Sequence, residues 1–133
     1  MATKKRIFIS YDYDNDRNRR FLLTAWDKNK EFDFEFYDGS LNVAVESTNA
    51  AYIKSVIKPK IEAASHLLCI VGKHAHKSDW IAWEINKAIE LGKKLIGVKL
   101  ESTNTTPSAL LNAGATWAMS FTFDSIKKAV DNA

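Results

Sequence analysis

"HLLCIVGKHAHKSDWIAWEINKAIELG", residues 66–92, sets a strand and a helix back to back. Its first seven residues, HLLCIVG (66–72), are apolar throughout, as a central parallel strand covered on both faces should be. After a polar link, SDWIAWEINKAIELG (78–92) has helical spacing. At about 100° per residue, Ile81, Ile85, Ala88 and Gly92 centre one apolar face. Trp80 and Leu91 extend that face on one side, Ala82 and Ile89 on the other. Asn86, Lys87 and Glu90 fall on the solvent side. Glu84 breaks the pattern, projecting roughly 60° from the centre of the apolar face, four residues after Trp80. Glutamate is almost never fully buried without a partner, and an isolated buried carboxylate is costly. Two readings follow: a carboxylate paired with a basic neighbour at the helix edge, or a site carboxylate lining a crevice.

The rest of the chain repeats the strand-and-helix alternation. RIFIS (6–10) is a short buried strand. Asn15 or Asp16 can cap a helix to about Lys28, with Phe21, Leu22 and Trp26 as its apolar side. FDFEFY (32–37) alternates strictly, which predicts a half-exposed strand at a sheet edge. DGS (38–40) is a turn, and a polar loop follows to about Thr48. Ala50–Ala64 reads as a helix with Ile53, Ile57 and Ile61 inward, and Pro59 is expected to kink or divide it. KLIGVKL (94–100) is a fourth strand. Residues 101–115 are loop-like, with at most a short helix after Pro107. TWAMSFT (116–122) is a fifth strand, and Asp124 is expected to cap a last helix. Such alternation predicts an α/β protein of flavodoxin-like, three-layer architecture. Its five-stranded parallel sheet would run in the order 2-1-3-4-5, with helices on both faces. A ligand crevice then lies outside the carboxyl ends of strands 1 and 3, bordered by residues 10–16, 38–48 and 72–79. Glu84 lies within its reach.

At 133 residues a single domain, 1–133, is expected. A net charge of +3 is too small to argue for nucleic acid. The lone Cys69 excludes an internal disulfide and fits a reducing compartment, and no run is long enough to span a bilayer; the expectation is a cytoplasmic protein with no membrane partner. Several chemistries lack their motifs. The loop SYDYDND (10–16) has no glycine and carries three aspartates, so it is a poor flavin-phosphate cradle. No phosphoacceptor aspartate ends strand 3, and neither GxGxxG nor GxxxxGK[ST] occurs. Asp12, Asp14 and Asp16 resemble a metal cluster but equally a solvated loop with a helix cap. His74 and His76 lack a third zinc ligand. No metal and no cofactor is expected, and Cys69 reads as core.

With IFISYD (7–12), YDGS (37–40) and SDWIAWE (78–84) in these places, the chain resembles a TIR domain, in particular the compact TIR-like proteins of the Thoeris antiphage systems, the ThsB family. The resemblance covers nearly the whole chain and is strongest over residues 5–12 and 58–100. It implies NAD+ glycohydrolase or ADP-ribosyl cyclase chemistry, with NAD+ as substrate and Glu84 at the family's catalytic glutamate. It also implies that Ser10 and Tyr11 contact the nicotinamide side, that Asp38 matches the acidic residue closing strand 2, and that Ser40 begins a loop covering the site. Trp80 would wall the site and exclude water. Asp12 stands where many TIR enzymes have a basic residue. Trp83 falls on the solvent side of its helix and is a candidate partner surface.

The resemblance further implies a signal derived from ADP-ribose, cyclic in the simplest case, sensed by a separate effector during phage infection. Self-association or a phage-derived trigger would order the loop Gly39–Thr48 as a lid. Two rivals remain: a TIR scaffold without catalysis, and a receiver-like or nucleotide-binding signalling domain that has lost its chemistry.

Overall fold

A computed structural model describes residues 6–12, 18, 35–37, 50–111 and 113–133. Strands β1 (Arg6–Ser10), β2 (Glu35–Tyr37), β3 (His66–Val71), β4 (Lys94–Lys99) and β5 (Thr116–Ala118) form one parallel sheet, ordered β2-β1-β3-β4-β5. The described α-helices are α1 (Ala50–Ala63), α2 (Asp79–Glu90) and α3 (Phe123–Asp131), with 3-10 turns at Ala75–Lys77 and Ser108–Leu110. Apart from residue 18, which is helical, the expected helix over 15–28 lies outside the described residues, as do the first half of FDFEFY and the loop from Asp38 to Thr48.

Side-chain alternation along the strands divides the core into two layers. Ile7 and Ile9 of β1, Leu68 and Ile70 of β3, and Ile96 and Val98 of β4 face Ile126, Ala129 and Val130 of α3. Phe8, Leu67, Cys69, Val71 and Leu95 face the other way, onto Ile57 and Ile61 of α1 and Ile81, Ile85 and Ala88 of α2. Every residue of β3 is buried, which is why its sequence is apolar without alternation. The register Ile7↔His66 through Ser10↔Cys69 brings the ends of β1 and β3 side by side.

Helix α2 is bounded by its own chemistry. The Ser78 hydroxyl accepts from the Ile81 amide at 3.2 Å, satisfying one of the free first-turn donors. At the other end Gly92 adopts φ +74°, its amide donates to Ile89 and that of Lys93 to Ala88. That is a Schellman closure, so Gly92 is a terminator and not the core position its helical phase implies. Ile89, expected at the margin of the apolar face, is 43% exposed.

Three boundaries differ from the sequence reading. Helix α1 runs through Pro59 without being divided. Ser55 and Pro59 are both exposed, so the one lost backbone bond falls on the wet side of the helix, where water can take its place. Strand β5 stops at Ala118, well short of Thr122. The cap of α3 is Thr122, whose hydroxyl accepts from the Ser125 amide at 3.3 Å, and Asp124 sits in the first turn instead. A cap must have extended backbone, and Thr122 does, with φ −126° and ψ 151°.

Gly97, in the middle of β4, is the place where β5 comes closest. A Cβ built there would lie inside the indole of Trp117, its paired residue on β5. Gly97→Ala should therefore destabilise the protein by about 2 kcal/mol, the usual scale of overpacking, read as a lower urea midpoint. An unchanged midpoint would show that the indole yields without cost.

Candidate active site

Glu84 is 7% exposed, between Ile81, Ile85 and Ala88 of the face that packs α2 onto the sheet. Its position follows from helical phase: three residues after Ile81 and four before Ala88, it shares their side of the helix. Ser10 reaches it from the sheet. Alternation puts Ser10 on the same side of β1 as Phe8, toward α2, and its hydroxyl donates to Oε1 of Glu84 at 2.9 Å. Ser10 is itself 1% exposed.

The basic neighbour that would make Glu84 an ordinary helix-edge ion pair is absent among the described residues. Lys87, one turn on, pairs with Glu90 at 2.9 Å on the solvent side. Burial without a counter-charge pushes the Glu84 carboxyl up from 4.5 to about 8, and the Ser10 hydrogen bond opposes that rise without reversing it. A carboxyl group thus sits beside the carboxyl end of β1, next to the β1–β3 junction where open parallel sheets bind ligands.

Trp80 packs against the α1–α2 layer and meets Trp83 edge to face, with ring centroids 6.1 Å apart and planes at 77°. Trp83 is not on the solvent side, because α1 runs alongside α2. It is half-buried in the same layer, with the Lys54 ammonium 5.6 Å and that of Lys87 5.9 Å from its ring. Tyr11, next after Ser10, packs against the opposite layer with α3. The structure thus joins Ser10 to Glu84 and sends Tyr11 to the other face. Asp38 and Ser40 lie outside the described residues, as do Asp14 and Asp16. Among the described residues, no three His, Cys, Asp or Glu side chains assemble as a metal cage, and no helix is long and apolar enough to cross a membrane. Cys69 is fully buried in β3.

Sequence reading assigned Ser10 and Glu84 separate roles and did not see that they touch. The signal was available in RIFIS, where Phe8 and Ser10 share a face. Asn104 was missed altogether. Its side-chain amide donates to the Val71 carbonyl at 3.0 Å, tying the loop after β4 to the carboxyl end of β3. A lone Asn in a polar loop gives no warning of that.

Among the described residues the parallel α/β sheet carries one buried carboxyl without a basic partner, that of Glu84, beside the end of β1. Two solved structures share the fold. One is a 2-deoxyribosyltransferase from Bacillus psychrosaccharolyticus, with TM-score 0.63 and 12% identity over 91% of this chain and 95% of that one. The other is the CMP N-glycosidase BcmB of Clostridium botulinum, with TM-score 0.64 and 14% identity over 96% and 98%. At such identities the likeness concerns the fold alone. The family model of the Thoeris protein ThsB, TIR-like domain, matches residues 8–105, and the chain belongs to that family. It is also 26% identical over 101 residues to ThsB1 of Bacillus cereus (strain MSX-D12), a protein provisionally named a cyclic ADP-D-ribose synthase. The match takes in 74% of this chain, which spans about half the length of that relative, 53%.

The raised carboxyl makes stability fall with pH. Between about 4.5 and 8 the folded protein holds a proton that the unfolded chain has released. Protonation therefore favours the fold, fully below the lower value, and that support is lost as pH climbs to the upper one. The slope from this group is about 1.4 kcal/mol per pH unit. Urea midpoints from pH 5 to 8 should drop along it in the parent and drop less in Glu84→Gln. Parallel curves would mean that Glu84 ionises freely in the fold.

Proposed function

We propose that the chain is a TIR enzyme of flavodoxin-like architecture that cleaves the bond between nicotinamide and ribose in NAD+. The observation that carries this reading is the Glu84 carboxyl, buried without a basic partner among the described residues and held by Ser10. Membership of the ThsB family and the name given to the Bacillus cereus relative support it. A scaffold acting only by self-association has no need of that carboxyl, which weakens the fold wherever it ionises.

The chemistry suits one carboxylate. As the C1′–N bond breaks, its electron pair leaves with the nicotinamide nitrogen and the pyridinium becomes a neutral molecule. No acid is needed to help it go. The sugar is left with oxocarbenium character at C1′, as in glycoside cleavage. A carboxylate fixed beside the ribose in a water-poor site stabilises that charge far better than one in bulk water. Substrate and transition state each bring one positive charge, the partner that Glu84 lacks among the described residues. Water attack gives linear ADP-ribose. Attack by a hydroxyl or ring nitrogen of the same molecule gives a cyclic product. A hydroxyl or water nucleophile must give up a proton, and a carboxylate whose burial favours the protonated form is a ready acceptor. In this reading Trp80 walls the site, and Asp38 and Ser40 belong to the substrate-binding rim. The product is a signal for a separate effector in antiphage defence.

Incubation with NAD+, with products resolved by mass, tests the reading. Glu84→Gln keeps volume and polarity and should abolish nicotinamide release while the fold stays intact; turnover like the parent's would sink the assignment. The sign of the pH dependence is also set. The ionised form is the active one, so kcat/KM should climb about tenfold per pH unit below the carboxyl's midpoint and level off above it, with that midpoint at about 8. A profile flat from pH 6 to 9 would assign the chemistry elsewhere. Chelator should leave the rate unchanged, since the departing group needs no Lewis acid; loss with chelator and return with magnesium would point to the aspartates after β1.

A further inference from the structure

We propose that Ser10 is a positioning residue and not a substrate contact: its hydroxyl fixes Oε1 of Glu84 and leaves Oε2 to face the ligand. The inference deepens the NAD+ reading and rests on it for the ligand's identity.

A serine hydroxyl has one proton to donate, and in Ser10 that proton is committed to Glu84 at 2.9 Å. With 1% of its surface exposed, Ser10 has little left to offer a substrate. Its backbone is held where β1 meets β3 in the register Ser10↔Cys69, behind Phe8 and Ile9. The donor is therefore on the rigid sheet, and the acceptor is on a helix whose neighbouring side chains are fully buried. Glu84 has no other hydrogen-bond partner among the described residues, so Oε2 is unclaimed there. The hydroxyl thereby selects which oxygen meets the ribose. It also favours the ionised form, since a donated hydrogen bond stabilises a carboxylate more than a neutral acid.

Among the described residues no charged side chain competes for this role. From β1 only Ser10 acts on the carboxyl. On α2 itself, Lys87 and Glu90 pair with each other. From α1, Lys54 lies over the rings of Trp80 and Trp83. Cys69 is the strand neighbour from β3. Among the described residues the setting of Glu84 therefore depends on burial and one hydroxyl, and only the hydroxyl can be removed without rebuilding the core.

Infrared titration of the ligand-free protein, with Glu84→Gln as the blank, follows the protonated carboxyl directly. Ser10→Ala should move its midpoint upward by about one pH unit, the scale of one hydrogen bond to a charged group, and Ser10→Thr, which keeps the hydroxyl, should restore it. With NAD+, Ser10→Ala should lose about tenfold in kcat below the midpoint while KM changes by less than about twofold. An unmoved midpoint overturns the proposal, and so does a loss confined to KM, which would make Ser10 a substrate contact. If Ser10→Ala does not fold, Ser10→Cys, a weaker donor, is titrated by the same criterion. A moved midpoint in a protein that releases no nicotinamide would uphold the positioning role and overturn the NAD+ reading, so the two fail separately.

Discussion

A carboxyl group pressed between a helix and the face of a parallel sheet has lost its water, and something in the protein must answer for it. Among the described residues the answer is one hydroxyl at the end of β1. That is enough to orient the group and too little to keep it ionised near neutrality. The second turn of α2, the carboxyl end of β1 and the layer between them are all arranged around this incomplete compensation. Were a lysine in reach, the site would be a buried ion pair with its charge already spent. Were Ser10 apolar, the carboxyl would lose its anchor on the sheet.

The same constraint connects fold to chemistry. Ser78 and Gly92 set where α2 begins and ends, and hence the phase at which Glu84 meets the sheet. The buried Ile81, Ile85 and Ala88 hold that phase against rotation. A helix that turned by one residue to free Glu84 would expose one of them, and burying such a side chain is worth about 1.5–3 kcal/mol. The carboxyl is kept in a poor environment by the good environment of its neighbours.

Much of this was legible in the sequence because it depends on periodicity. RIFIS, HLLCIVG and KLIGVKL are runs whose apolar content admits few readings, and each is a strand in the sheet. The misplacement of Glu84 on a helical wheel needs only the 3.6-residue repeat. What periodicity does not carry was misread or missed. Pro59 was expected to interrupt α1, yet the cost of proline depends on which side of the helix loses its bond. Thr122 and Asp124 are both good caps by type, and only the backbone decides between them. Trp83 faces away from the sheet, as its phase implies, but a neighbouring helix covers it. The fit of Trp117 over Gly97 belongs to two strands at once and has no signature in either.

Strand β1 serves both core layers: Ile7 and Ile9 toward α3, Phe8 and Ser10 toward α2. Its spelling is therefore a reading frame in space. Deleting or inserting a single residue within it would exchange the two sides, setting an isoleucine against the carboxyl and a hydroxyl among the isoleucines. Substitutions at Ile7 or Ile9 can be explored one at a time as this lineage diverges, each at a modest cost in packing. Changes of length cannot, since every one of them parts Ser10 from Glu84 in the same stroke that it spoils the core. Related chains should accordingly vary the letters of this strand far more freely than the number of residues between Phe8 and Ser10, and place their insertions where no side chain has to keep count.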